Sequence, residues 1–172
     1  LRLYLKEDQT DALLQQLRAG EIDLALIALP FETDGLTTID LFEDEFQFAC
    51  HADHPLATRK AVAEKYLVDQ PLLLLEDGHC LRDHALSACR IPEDRFRPLF
   101  EATSIHTLVQ MVMSGLGVTL LPQLAIDANI TAGSNIELVP LSTKASRTIG
   151  MVWRQSSTRV QEFELLANAF RK

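Results

Sequence analysis

The stretch Ile22-Asp23-Leu24-Ala25-Leu26-Ile27-Ala28-Leu29 carries one polar side chain in eight residues. It falls far short of the ~20 apolar residues that cross a bilayer. A short run of this kind is predicted to be a strand buried on both faces, as in a parallel sheet covered by helices on each side. Leu72-Leu73-Leu74-Leu75, introduced by Pro71, has the same character. A chain with two such runs needs helices to cover them, and the intervening segments supply the pattern.

Leu1, Leu3 and Leu5 alternate, which predicts a strand over residues 1–6. Thr10 is placed to cap a helix over 11–19 that Gly20 closes. Further strands are predicted over 36–42, 45–51, 99–103, 118–121, 136–141 and 148–154. Helices are predicted over 59–67, 80–89, 105–114 and 158–170, with a helical turn at 123–128. Ser104 caps the third of these helices, and Gly115-Leu116-Gly117 turns the chain into the next strand. Strands alternate with helices, so the expected fold class is α/β with a mostly parallel sheet. No repeat and no low-complexity linker marks a domain break.

The net charge of −8 argues against direct contact with nucleic acid, because a domain that wraps phosphates is normally basic. No leader pattern opens the chain, and Leu1-Arg2-Leu3-Tyr4-Leu5-Lys6 reads as already structured, so a piece of a longer protein is expected. No run is long enough for a membrane span. Three cysteines, Cys50, Cys80 and Cys89, do not form a secreted disulfide framework, and a reducing, cytoplasmic setting is expected.

In that setting cysteines are buried fillers, metal ligands or reactive thiols. Cys80 falls at the predicted start of a helix, where backbone N–H groups favour an anion, with His79 and Arg82 beside it. Cys89 lies nine positions on, ~13.5 Å along an unbroken helix. Disulfide-bonded Cα atoms sit about 4.4–6.8 Å apart. A bond between the two therefore requires the helix to unwind, which would make the bond a conformational switch. The bland alternative is that both are small buried hydrophobes. Cys80 and His84 share a helical face with His79 adjacent, but no CxxC is present, and no metal site is expected.

The string Leu75-Glu76-Asp77-Gly78-His79-Cys80-Leu81-Arg82-Asp83, with Cys89 downstream, resembles the sensing motif of peroxide-responsive LysR-type transcriptional regulators. Ala102-Thr103-Ser104-Ile105-His106-Thr107-Leu108-Val109-Gln110-Met111-Val112, followed by Ser114 to Pro122, resembles the effector-domain signature of LysR-type proteins generally. Arg147-Thr148-Ile149-Gly150-Met151-Val152 is similar to the return strand of the same regulators. The resemblance implies two Rossmann-like lobes in a periplasmic-binding-protein-like effector domain. Lobe I would be residues 1–44 and 148–172, lacking its first strand and helix. Lobe II would be 45–147 and would carry the redox cysteines. The winged helix-turn-helix would lie outside this chain.

The resemblance further implies roles. Cys80 would be oxidised by hydrogen peroxide to sulfenic acid and Cys89 would resolve it as a disulfide. Thr10, His79, Arg82 and Ser104 would line the peroxide pocket or shape the thiolate's surroundings, and Asp83 and Arg147 would belong to the switch. Implied partners are hydrogen peroxide, further copies of the chain as dimer or tetramer, promoter DNA and RNA polymerase through the full-length protein, and a thiol reductant such as glutaredoxin. No cofactor, membrane or enzymatic turnover is implied.

Plainer readings stand beside these. Thr10 can be an N-cap alone, and Arg82 can pair locally with Asp83. Cys50 reads as strand filler, and His51, His54 and His106 as surface or structural. Glu43-Asp44-Glu45 reads as a solvated crossover, and Trp153 as core of the first lobe. A thiol peroxidase would share the first chemical step with a sensor and differ by sustained turnover. A metabolite-binding effector domain or transport binding protein would need a cleft with convergent polar groups.

Overall fold

The computed structural model describes residues 2–76, 80–91 and 100–171. Its chain contacts define two compact units, Leu1–Glu43 with Thr148–Lys172, and Asp44–Arg147.

In the first unit, α1 (Thr10–Ala19) ends on Gly20, whose φ of 81° is reached cheaply only by glycine. The Gly20 and Glu21 N–H groups close the helix onto the Leu17 and Gln16 carbonyls. Leu14 and Leu17 of α1 pack on Ala25, Ile27 and Val152. β1 (Leu24–Leu29) lies antiparallel to β7 (Ser146–Arg154), with Leu24 opposite Trp153 and Leu29 opposite Thr148. Trp153 and Met151 of β7 meet Phe163 and Ala167 of α5 (Val160–Phe170), the Trp153 and Phe163 rings 5.6 Å apart. Trp153 is therefore core, as its size requires.

In the second unit, the later half of β2 (Leu36–His51) pairs antiparallel with both β5 (Thr119–Pro122) and β6 (Ile136–Pro140). β3 (Leu74–Leu75) and β4 (Glu101–Ala102) form a short parallel pair. α2 (Cys80–Ala88) follows β3, α3 (Ile105–Met113) follows β4, and α4 (Gln123–Asp127) follows β5. The largest apolar cluster gathers Phe46, Phe48, Cys50, Leu86, Cys89 and Leu120, among others. Gly117 lets β5 start close to the neighbouring segment, since a Cβ there would come 2.1 Å from the Pro71 carbonyl oxygen.

Four readings change. The sheet is not mostly parallel: the long ladders are antiparallel, because β1 meets the distant β7, and β2 meets β5 and β6, running in opposite directions, so these neighbours are not the successive strands of βαβ units. Residues 2–6 form no strand; Leu3, Tyr4 and Leu5 are exposed, and none of the described strands pairs with them. The two strands expected over 36–42 and 45–51 are one continuous strand of 16 residues. The helix expected over 59–67 shrinks to a 3-10 turn at Glu64–Tyr66.

Candidate functional site

β3 and β4 run parallel with Leu74 opposite Glu101 and Leu75 opposite Ala102. The helices that follow them therefore start from the same edge of this pair, the carboxyl end, where α/β folds place their ligands. Cys80 is the first residue of α2. Helix N-terminal N–H groups lack intrahelical partners and in general favour an anion. At the start of α3, Ser104 caps the helix: its Oγ accepts from the Thr107 N–H at 3.2 Å. Arg82, in the first turn of α2, donates to Glu101 Oε1 at 3.1 Å, and so ties this helix to β4. Asp83 faces solvent. His79 and the Cys80 side chain lie outside the described residues.

The far end of the same helix is built differently. The Cys89 N–H reaches the Ala85 carbonyl at 3.1 Å, the Arg90 N–H the Ser87 carbonyl at 3.0 Å, and the Ile91 N–H the Leu86 carbonyl at 2.9 Å. This is a Schellman closure with Arg90 in the left-handed position at φ 52°. Cys89 is the residue at the cap, fully buried among Leu86, Ile91 and the strand side chains. Burial pushes its thiol up to about 12, with the Glu64 carboxylate adding to the effect. At neutral pH it is a protonated thiol and a poor nucleophile. Nine residues of helix place the Cα atoms of Cys80 and Cys89 ~13.5 Å apart, beyond disulfide reach, and Cys89 is free.

Cys50 occupies the same apolar cluster on β2, and burial raises its thiol to about 11, with Glu137 contributing. His54 bonds Gln70 at 3.2 Å, in keeping with a structural histidine. Among the described residues no group of three or more His, Cys, Asp or Glu is gathered as a metal site would need, and no helix is long and apolar enough to cross a membrane.

Three further placements bear on the sequence reading. Thr10 is not a cap: Gln9 holds that position without a side-chain bond, and Thr10 is the buried first residue of α1. It belongs to the first unit, whereas Cys80, Arg82, Asp83, Cys89, Ser104 and Arg147 belong to the second. Asp44 is not solvated but buried. Its Oδ2 accepts from Arg147 Nε at 3.0 Å, with Arg147 Nη2 at 2.9 Å, and its Oδ1 accepts the Leu124 N–H of α4 at 2.9 Å. The sequence reading missed Glu101, Glu64 and this role of Asp44. A signal for Asp44 was available: it shares the period-two face of Phe46, Phe48 and Cys50. No local signal marks Glu101 or Glu64, which meet α2 only through folding.

The whole chain, residues 1–172, matches the LysR substrate binding domain family. It is 44% identical over 169 residues to a probable hydrogen peroxide-inducible genes activator of Mycobacterium avium, covering 97% of this chain and 54% of that protein. It is 39% identical over 171 residues to the DNA-binding transcriptional dual regulator OxyR of Escherichia coli K12, covering 99% of this chain and 56% of the relative. The chain thus spans about half the length of these relatives. Among solved structures, the reduced form of the OxyR2 regulatory domain from Vibrio vulnificus matches with a TM-score of 0.88 at 40% identity, over 96% of this chain and 78% of that one. Family match, identity and fold agree, and the chain belongs to the LysR substrate-binding domains, with close homology to OxyR regulatory domains.

Proposed function

We propose that this chain is the sensing part of a longer LysR-type regulator that responds to hydrogen peroxide through Cys80 and Cys89. The Cys80 thiolate attacks one peroxide oxygen, the O–O bond breaks, and with one proton the products are Cys80 sulfenic acid and water. The Cys89 thiol then displaces the hydroxyl as a second water, forming the Cys80–Cys89 disulfide. The observation that carries this reading is the placement of the two cysteines at opposite ends of one short helix, one at its N-terminus and one in the core. Because a helix of this length holds them apart, the bond cannot form without unwinding α2, and oxidation becomes a change of fold.

In this reading His79, Arg82 and Ser104 shape the surroundings of the thiolate, and Thr10 contributes to binding peroxide. Asp83 and Arg147 help hold the reduced arrangement. A chain of this kind works in the reducing cytoplasm, as a dimer or tetramer. It reaches promoter DNA and RNA polymerase through the rest of the regulator, and a thiol reductant such as glutaredoxin resets it. Lobe I is completed by a strand and helix from that remainder. In support, β1 pairs only with β7 among the described strands. A groove of about 480 Å³ is lined by Leu24 and Leu26 of β1 together with Leu3, Leu5 and Phe170, among others.

The test is one equivalent of hydrogen peroxide added to the fully reduced protein, followed by thiol blocking and mass mapping. A Cys80–Cys89 link with Cys50 free is the expected result. Three free thiols with no sulfenic acid trapped at Cys80 overturns the reading. Repeated consumption of peroxide with a reductant would instead indicate a peroxidase.

A further inference from the structure

The two units are joined by the chain only at 43/44 on β2 and at 147/148 on β7. Three consecutive acids at the first crossing each meet a partner at the second. Glu43 Oε1 accepts from Thr148 Oγ1 at 2.7 Å, Asp44 binds Arg147, and Glu45 pairs with Lys144. The outer two pairs are at the surface, where such contacts stabilise little. The central one is different. The Asp44 side chain is fully buried, the Arg147 side chain is 13% exposed, and Asp44 carries a fork from Arg147 on one oxygen and the α4 N–H on the other. A desolvated carboxylate held by both an arginine and a backbone N–H keeps its partners in one arrangement, because losing the Arg147 ion pair strands a buried charge. The pair lies one residue inside both crossings, so β2, β7 and the start of α4 are fixed to one another at the point where the chain leaves the second unit.

We propose that Asp44 and Arg147 form a crossover clamp, through which a rearrangement within Asp44–Arg147 is passed to the strands that enter the other unit. This rests on the reading of α2 as a switch for its input, but not for the clamp itself. In this role Asp44 is a positioning residue.

The experiment is residue-resolved hydrogen exchange on the whole chain, for the wild type and Asp44→Asn, before and after one equivalent of peroxide, with thiol mapping of each sample. The substituted amide still accepts the Leu124 N–H but leaves Arg147 without its counter-charge. In the reduced variant, amides 43–46, 145–148 and 124 should lose protection together, by about tenfold or more, while Leu17, Phe48 and Trp153 keep theirs. After oxidation, the wild type should change exchange at 36–43 and 148–154. The variant should form the same disulfide with that change lost.

Loss confined to amide 124 would make Asp44 a helix cap and overturn the clamp, as would uniform loss everywhere or an unaltered oxidation response in the variant. If the wild type forms no disulfide, the switch reading fails, and the reduced-state pattern alone decides for or against the clamp. Should Asp44→Asn not fold, Arg147→Lys keeps the charge but not the fork, and a joint loss at the same amides is again required.

Discussion

Cys50 and Cys89 are buried in one apolar cluster, and burial raises both thiols, to about 11 and about 12. Their backbones differ. Cys50 sits within a 16-residue strand, opposite Glu137 of β6 and one residue past the stretch paired with β5. Cys89 caps a nine-residue helix whose closure depends on Arg90 in a left-handed conformation that suits glycine better. Exposing Cys50 requires a sheet to open, whereas exposing Cys89 requires the end of a helix to unwind. Two thiols of similar chemistry are thus separated by the cost of reaching them, and only Cys89 adjoins the helix that begins at Cys80. In the proposed chemistry, access to these thiols would be set by local stability as much as by pKa.

The comparison can be broken most directly by substitution. Cys89→Ser should abolish the peroxide-induced disulfide, and Cys50→Ser should leave its yield unchanged; thiol mapping decides, and a lost disulfide in the Cys50 variant would put Cys50 in the chemistry.

A second expectation concerns access. In the reduced protein, alkylation of both buried thiols should be slow, with Cys89 modified about 10- to 100-fold faster than Cys50, because sub-global openings cost less than opening a core strand. Rates from timed quenching and mass spectrometry test this, and equal rates would mean that α2 opens only with the whole unit.

A third uses pH. A thiol whose folded pKa is raised contributes stability that is complete below its unfolded value, near 9.0, and is lost as pH rises toward its folded value of about 12 for Cys89. Between about pH 8 and pH 11 the wild type should lose roughly 2–3 kcal/mol more than Cys89→Ala, with a smaller difference for Cys50→Ala. Denaturant titrations at several pH values measure it; parallel curves for wild type and Cys89→Ala would show that the thiol is not desolvated.

The smallest effect is at the cap. Arg90→Gly removes the left-handed strain and should stabilise the end of α2 by about 0.5–1 kcal/mol, slowing disulfide formation by a factor of ~2–5. Faster closure in this variant would mean that the helix end does not limit the reaction.

Where the local code and the fold agree, the sequence was readable. Gly20 closes α1, Ser104 caps α3, and Trp153 is core, since each follows from one residue's own chemistry or size. Where a residue's environment comes from a distant segment, the reading failed. Thr10 had a plausible capping position but is buried one residue inside its helix. Leu1, Leu3 and Leu5 alternate, yet a strand exists only with a neighbour, and none of the described strands pairs with residues 2–6. Asp44 stands in an acidic triple that looks like surface, while its alternation with Phe46 and Phe48 faces the core.

The sequence by itself determined the α/β class, the helix starting at Cys80 and the nine-residue spacing to Cys89, because propensity, capping and helical rise are local properties. Only the tertiary structure decided that Cys89 is desolvated, that Arg82 meets Glu101, and that Asp44 and Arg147 join the two crossings. Burial and ion pairing depend on which side chains arrive from far along the chain: the short parallel pair β3/β4 sets Glu101 beside α2, and the long strands β2 and β7 carry Asp44 and Arg147.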